Sequence, residues 1–244
     1  MNLIIDIGNS RAKVVVMDGD TLINEYVAEG FSTSLLDEIM ASHPSITRAI
    51  IASTRGDEEQ TSAIVAERLS KVVVFKPATT PIPLANHYHT PETLGADRLA
   101  AAVGAQAMYP NCNIMIVDFG TAITIDFVED GAFKGGNISP GITTRFRALA
   151  DYTARLPRCY ATDEVLDYGH TTKEAIEQGV MRGVEYEILG YAEAFMQKNG
   201  EKCIIFTGGD AKYFVKRIKN TIFADCEPVI FGLNRILNYN AERI

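Results

Sequence analysis

Apolar and polar positions fall into the same pattern twice along the chain. Residues 3–8 read LIIDIG and residues 115–120 read MIVDFG: an apolar run ending in Asp, one residue, then Gly. The two marks lie 112 residues apart, and the same spacing relates Asp18-Gly19 to Asp130-Gly131. Asp-Gly favours a tight hairpin turn. Between the marks lie the β-rich runs Lys13–Met17 and Thr124–Val128, and after them Thr21–Val27 and Ala132–Ile138. Each half is therefore predicted to open with strand, Asp-x-Gly turn, strand, Asp-Gly turn, strand. Alternation follows in both halves. The first should hold a helix over 31–42, a strand at 48–53, a helix near 57–70, a strand at 71–76 and a helix near 94–109. The second should hold helices near 142–154 and 171–198, a strand at 202–207, a helix near 210–219, a short strand near 221–225 and a helix from about 229. Strands alternating with helices predict layered α/β domains. The repeat predicts two similar domains, 1–111 and 112–244, with a cleft between them.

Composition narrows the function classes. The chain has 244 residues, 47% hydrophobic and 22% charged, which is ordinary for a globular protein and excludes a mainly disordered chain. Its formal net charge is −8. That disfavours general nucleic-acid binding, which relies on Lys and Arg to neutralise phosphates. No apolar run approaches the roughly 20 residues that cross a bilayer. The start, Met1-Asn2-Leu3-Ile4-Ile5-Asp6, meets a carboxylate too early for a secretory signal. A cytoplasmic location with no membrane partner is expected. Cys112, Cys159, Cys203 and Cys226 form no CxxC pair and read as reduced, mostly buried thiols. His87 and His89 have the spacing of one strand face, but make a weak metal pair.

The chemistry gathers at the Asp-x-Gly loops. In Asp6-Ile7-Gly8-Asn9-Ser10 a carboxylate stands at a strand exit, a glycine admits an anion to the backbone, and Asn9 and Ser10 add side-chain donors. Such a loop can receive phosphates through N–H groups while Asp6 holds Mg²⁺. Asp118-Phe119-Gly120-Thr121-Ala122 offers the same from the other half. Either loop alone would also serve as a plain β-turn capped by its own Asp; the matched pair is what points to a nucleotide. There is no GxxxxGK[ST] and no GxGxxG, so neither a P-loop nor a dinucleotide site is supported. Gly135-Gly136 lies four residues before Pro140-Gly141, just ahead of an expected helix, and Thr207-Gly208-Gly209-Asp210 follows a strand and precedes a helix; a Gly-Gly pair at a strand-to-helix turn can admit a ligand or simply turn the chain. The segment Tyr88–Arg98, YHTPETLGADR, reads as a helix start at Thr90-Pro91-Glu92, with Asp97 and Arg98 before an alanine-rich helix over Leu99–Ala107. An Asp beside a phosphate site can accept the proton of an alcohol. Arg can fork onto a carboxylate. A capped helix with a surface ion pair would explain the same two residues.

DIGNS at 6–10, TPETLGADR at 90–98, DFGTAITID at 118–126, GGNISPG at 135–141 and TGGDA at 207–211 together resemble the type III pantothenate kinases. These are transferases of the acetate and sugar kinase, Hsp70 and actin superfamily. The resemblance runs over nearly the whole chain. It implies two ribonuclease H-like (actin-like ATPase) domains, a homodimer, and transfer of the ATP γ-phosphoryl to pantothenate in the first step of coenzyme A biosynthesis. It implies that residues 6–13, including Asp6, Gly8, Asn9, Ser10 and Lys13, cradle ATP, with Asp6 serving Mg²⁺. Thr121, Gly208 and Gly209 would also meet the nucleotide. Asp97 would be the catalytic base, and Tyr88, Gly95, Ala96, Asp97, Arg98 and Thr172 would bind pantothenate, Thr172 near the dimer partner. Asp118 would bind a monovalent cation, K⁺ or NH₄⁺. Ser10 stands where many members of this family have Thr, and a solvent-facing lysine is the alternative reading of Lys13. Two rivals fit the same loops: another small-molecule kinase of the superfamily, which would not need residues 88–98, and a non-catalytic accessory regulator.

Overall fold

The computed structural model describes residues 1–215, 217–218, 222–223 and 227–241. In chain order the strands are β1 (Asn2–Ile7), β2 (Ala12–Asp18), β3 (Thr21–Ala28), β4 (Arg48–Ser53), β5 (Val72–Val74), β6 (Ala85–Asn86), β7 (Asn113–Phe119), β8 (Ala122–Glu129), β9 (Ala132–Pro140), β10 (Lys202–Thr207) and β11 (Ile222–Phe223). The helices are α1 (Thr33–Ser42), α2 (Glu58–Ala66), α3 (Ala96–Met108), α4 (Ile142–Asp151), α5 (Thr172–Met196) and α6 (Pro228–Asn240). The chain divides into two compact units. One comprises Met1–Pro110, Gly131–Phe133 and Cys226–Ile244; the other comprises Asn111–Asp130 and Lys134–Asp225.

The first unit is built on a sheet of order β3-β2-β1-β4-β5. β1 is antiparallel to β2 and parallel to β4. Period-two burial sorts its side chains. Leu3, Ile5 and Ile7 join Ala12, Val14 and Val16 in one core with Leu36 and Ile39 of α1 and Val65 of α2. Asn2, Ile4 and Asp6 therefore take the opposite face, in register with Met17, Val15 and Lys13. α6 packs on β1 and β4. Asn2 donates to Asn234 (2.7 Å) and Asn238 (3.0 Å), while Glu227, just ahead of the helix, pairs with Lys13. α6 thus runs antiparallel to β1, its N-terminus at the Asp6 end. It meets α3 at very close range: a Cβ on Gly232 would lie 1.8 Å from the Ala100 carbonyl, and one on Gly104 2.0 Å from the Pro228 carbonyl. β6 pairs in parallel with Ala132 and Phe133, the part of β9 counted with this unit.

The second unit repeats the plan, with strand order β9-β8-β7-β10-β11, β7 antiparallel to β8 and parallel to β10. Met115, Val117, Phe119, Ile123, Ile125, Ile204 and Phe206 build its core with α4 and α5. Phe119 stacks on Phe214 at 4.9 Å and meets Phe206 edge-on at 5.1 Å. The opposite face carries Asp118 beside Thr124 and Thr207. Asp118 therefore holds on β7 the place that Asp6 holds on β1. α5 starts with a complete capping box, Thr171 and Glu174 exchanging hydrogen bonds.

Several expected elements are altered. The helix expected near 94–109 runs Ala96–Met108, so Asp97 and Arg98 stand inside its first turn, not ahead of it. Of the helix expected near 210–219, the described residues show a 3-10 turn, Ala211–Tyr213, while residues 216 and 219 lie outside the described residues. α2 stops at Ala66, four residues short. Thr90-Pro91-Glu92 opens a 3-10 turn over Pro91–Thr93, not a continuous helix. The two Asp-Gly marks are not equivalent either. The first hairpin turns on Gly19 (φ 57°) after Asp18 closes β2, whereas the second has both Asp130 (φ 53°) and Gly131 (φ 69°) in its loop. Positive φ at both central residues is the type I′ signature. Cys159 and Cys203 are buried and Cys112 is half-buried, all free; Cys226 and residues 221, 224 and 225 lie outside the described residues. The contact units also differ from a boundary at 111/112: the C-terminal helix packs with the first unit.

Candidate active site

The residues singled out in the sequence fall into three groups of side chains. The first is the loop between β1 and β2. The Gly8 N–H donates to the Arg11 carbonyl at 3.0 Å and closes the turn. Among the described residues the N–H groups of Asn9 and Ser10 have no partner, and both side chains are exposed. A Cβ on Gly8 would make only an ordinary contact, 3.6 Å from the Arg11 carbonyl. The fold itself therefore places no steric demand for glycine there. Lys13 lies opposite Asp6 on the same sheet face. It is not the solvent-facing lysine considered from sequence: its Nζ pairs with Glu227 and lies 3.6 Å from Glu25. Arg55, in the loop after β4, donates through Nε to the Gly8 carbonyl at 2.6 Å.

The second group is Tyr88–Arg98. Gly95 is the N-cap of α3, and Asp97 is in the first turn. A carboxylate there is favoured by the positive end of the helix dipole. Asp97 Oδ1 accepts the Arg98 N–H at 2.8 Å, and Oδ2 has no partner among the described residues. A Cβ on Gly95 would fall 2.5 Å from that Oδ1. Glycine there is what gives the carboxylate room. Arg98 is 6% exposed, with Cζ 5.7 Å from the centre of the Tyr88 ring, and Tyr88 leans on Phe133 at 6.2 Å. Burying a guanidinium against an aromatic face is a cation–π arrangement that fixes both side chains. Tyr88, Gly95, Ala96, Asp97 and Arg98 thus form one cluster. Gly95 and Ala96 also line a cavity of about 470 Å³ with Ser53, Phe75, Lys76 and Thr93.

The third group surrounds Asp118. Gly208 has φ 91°, and a Cβ there would lie 2.3 Å from Asp118 Oδ1 and 2.7 Å from the Phe119 backbone nitrogen. Gly209, next to it, would meet nothing within 4 Å. Thr121 is exposed; its carbonyl accepts from the Gly141 N–H (3.1 Å) and the Thr144 hydroxyl (2.8 Å), which ties the loop to the start of α4. Asp210 follows, and burial raises its carboxyl above the usual range. Asp118, Thr121, Gly208 and Gly209 are therefore gathered within this unit. Thr172 is elsewhere in it, at the first position of α5. It lines an apolar groove of about 820 Å³ with Thr144, Leu149, Tyr152, Leu156 and Ile176.

Sequence reasoning missed Glu25, Glu227 and Arg55, because each reaches the first loop from a separate strand or helix and stands in no motif. It also gave no role to Asp126, which is 2% exposed at the end of DFGTAITID. No cluster of three or more His, Cys, Asp or Glu that would hold a metal occurs among the described residues. Each loop brings one carboxylate and one hydroxyl residue, Asp6 with Ser10 and Asp118 with Thr121. Hard oxygen donors fit Mg²⁺ and K⁺, and one carboxylate per loop leaves most of each coordination shell to water and ligand oxygens. No helix among the described residues is long and apolar enough to cross a membrane.

A family model described as type III pantothenate kinase matches residues 2–194. The type III pantothenate kinase of Phocaeicola vulgatus is 44% identical over 242 residues, covering 98% of this chain and 99% of that one. That of Bacteroides fragilis is 42% identical over 245 residues, covering all of both chains. Among solved structures, the activator of the 2-hydroxyisocaproyl-CoA dehydratase from Clostridium difficile with bound ADPNP superposes with a TM-score of 0.56 at 12% identity, covering 100% of this chain and 97% of that one. A conserved Campylobacter jejuni protein assigned to the Baf family of transcriptional activators does so with a TM-score of 0.63 at 21% identity, covering 98% and 99%. At such identities these two show the fold alone, the actin-like ATPase fold of two mixed α/β sheets.

Proposed function

The chain belongs to the type III pantothenate kinase family, and from that premise we propose that it transfers the γ-phosphoryl group of ATP to the primary hydroxyl of pantothenate, the first step of coenzyme A biosynthesis. The observation that carries the assignment to particular residues is the Asp97 carboxylate. One oxygen is tied to the Arg98 N–H, and the other is left open at the mouth of α3. The open oxygen accepts the hydroxyl proton as the substrate oxygen bonds to the γ-phosphorus and the bond to the β-phosphate oxygen breaks, releasing ADP. Such transfers depend on positioning and charge neutralisation more than on covalent chemistry by the protein.

Tyr88, Gly95, Ala96 and Arg98 shape the pantothenate pocket around Asp97. The loop at Asp6, Gly8, Asn9, Ser10 and Lys13 takes the ATP phosphates, and Thr121, Gly208 and Gly209 meet the nucleotide. Asp6 holds Mg²⁺ and Asp118 holds K⁺ or NH₄⁺; bound cations offset the repulsion between these carboxylates and the phosphates. The active form is a cytoplasmic homodimer, in which the groove at Thr172 faces the partner and contributes that threonine to pantothenate binding. A substrate panel tests the assignment. Incubation with ATP and Mg²⁺ should convert pantothenate to 4′-phosphopantothenate and leave hexoses unphosphorylated. Phosphorylation of a sugar in place of pantothenate would move the chain to another activity of the superfamily.

A further inference from the structure

The loop after β4 is bound into the Asp6–Lys13 loop in a way that gives Arg55 a specific task. β4 lies beside β1, with Ser53 in register with Ile7, and the Thr54 N–H donates to the Ile7 carbonyl at 2.9 Å. Arg55 therefore leaves β4 where β1 ends. Its Nε donates to the Gly8 carbonyl at 2.6 Å, and its Nη1 to the Glu29 carbonyl at 3.2 Å. Its own N–H is held by Ser53 Oγ at 3.0 Å, and that hydroxyl donates to Asp57 at 2.6 Å. No carboxylate pairs with the guanidinium among the described residues. The contrast with Lys13 is sharp. Lys13 is paired with Glu227 and near Glu25, so its charge is already offset. Arg55 keeps its full charge and spends its hydrogen bonds on backbone carbonyls.

The Gly8 carbonyl and the Asn9 N–H belong to one trans peptide unit, so they point in opposite directions. Fixing the carbonyl on Arg55 fixes the direction of the Asn9 N–H. A charged donor on the carbonyl also polarises the amide and strengthens the N–H as a donor on the other side. That N–H has no partner within the described chain.

We propose that Arg55 is a positioning residue for nucleotide binding: through the Gly8 peptide it orients and polarises the Asn9 N–H toward an ATP phosphate. This rests on the reading that the Asp6–Lys13 loop takes the nucleotide. The test is calorimetric titration of the full chain with MgADP, alongside steady-state kinetics, for wild type, Arg55→Ala and Arg55→Lys. Arg55→Ala should weaken MgADP binding about tenfold or more and raise the KM for ATP in step. The KM for pantothenate should stay within about twofold. Arg55→Lys keeps the charge and one donor, and should recover most of the loss. A general disturbance of the fold would instead raise both KM values together, with no rescue by Lys; that result, or unchanged MgADP binding in Arg55→Ala, overturns the proposal. Wild-type protein that binds MgADP yet does not phosphorylate pantothenate would refute the kinase assignment while leaving Arg55 testable by titration. Wild-type protein that binds no nucleotide would refute both.

Discussion

Gly208 and Gly209 are indistinguishable as letters, yet their surroundings give them different jobs. Gly208 has a backbone that L side chains rarely adopt and no room for a Cβ beside Asp118. Gly208→Ala should destabilise the protein by about 2–4 kcal/mol, from left-handed strain together with overpacking. Urea unfolding would read this as a lower midpoint at unchanged slope. Gly209→Ala meets nothing in the fold and should leave that midpoint unchanged. If the nucleotide approaches the backbone there, the variant should still raise the KM for ATP several-fold; unchanged KM would remove Gly209 from the nucleotide site. Sequence could nominate both glycines because a Gly-Gly pair after a strand is visible in the letters. It could not divide them, since the division depends on Asp118, which is about 90 residues distant. Lys13 shows the same limit: its partners Glu25 and Glu227 reach it only through β3 and the start of α6.

Among elements, the strands beside the Asp-x-Gly loops were the most legible, because apolar runs ending in Asp-x-Gly leave little choice of local structure. The central helices were legible in extent and less so at their starts. Asp97 and Arg98 look like a polar break ahead of Leu99–Ala107, but Gly95 takes the N-cap and draws both into the helix. Of residues 210–219 only the turn Ala211–Tyr213 is described as helical, with Phe214 behind it stacked on Phe119; residues 216 and 219 lie outside the described residues. The contact of α3 with α6 had no signature beyond scattered small residues. It carries a clear expectation nonetheless. Gly232→Ala would drive a methyl into the Ala100 carbonyl. It should cost at least the 1–3 kcal/mol typical of overpacking, seen as a melting temperature lowered by several degrees. A variant melting with wild type would show that the helices cross with more room than a 1.8 Å approach leaves. Because α3 also carries Asp97 and Arg98, the same variant should lower kcat even where it remains folded.

Over the whole molecule, the 112-residue echo corresponds to a real repetition of strand order, β3-β2-β1-β4-β5 matched by β9-β8-β7-β10-β11, with Asp6 and Asp118 at equivalent places. That much is written in the apolar pattern. The return of the C-terminal helix to the first unit is not, because it depends on Gly232 meeting Ala100 and on Asn234 and Asn238 meeting Asn2. The proposed reaction turns on one carboxylate, and ADP release with ATP and Mg²⁺ in K⁺ buffer, with and without pantothenate, for wild type and Asp97→Asn, tests it directly. Wild type should release ADP only when pantothenate is present, and Asp97→Asn should lose roughly 10²–10⁴ in kcat, the scale of a missing general base. ADP release that ignores pantothenate, or an Asp97→Asn variant within a few-fold of wild type, would contradict it.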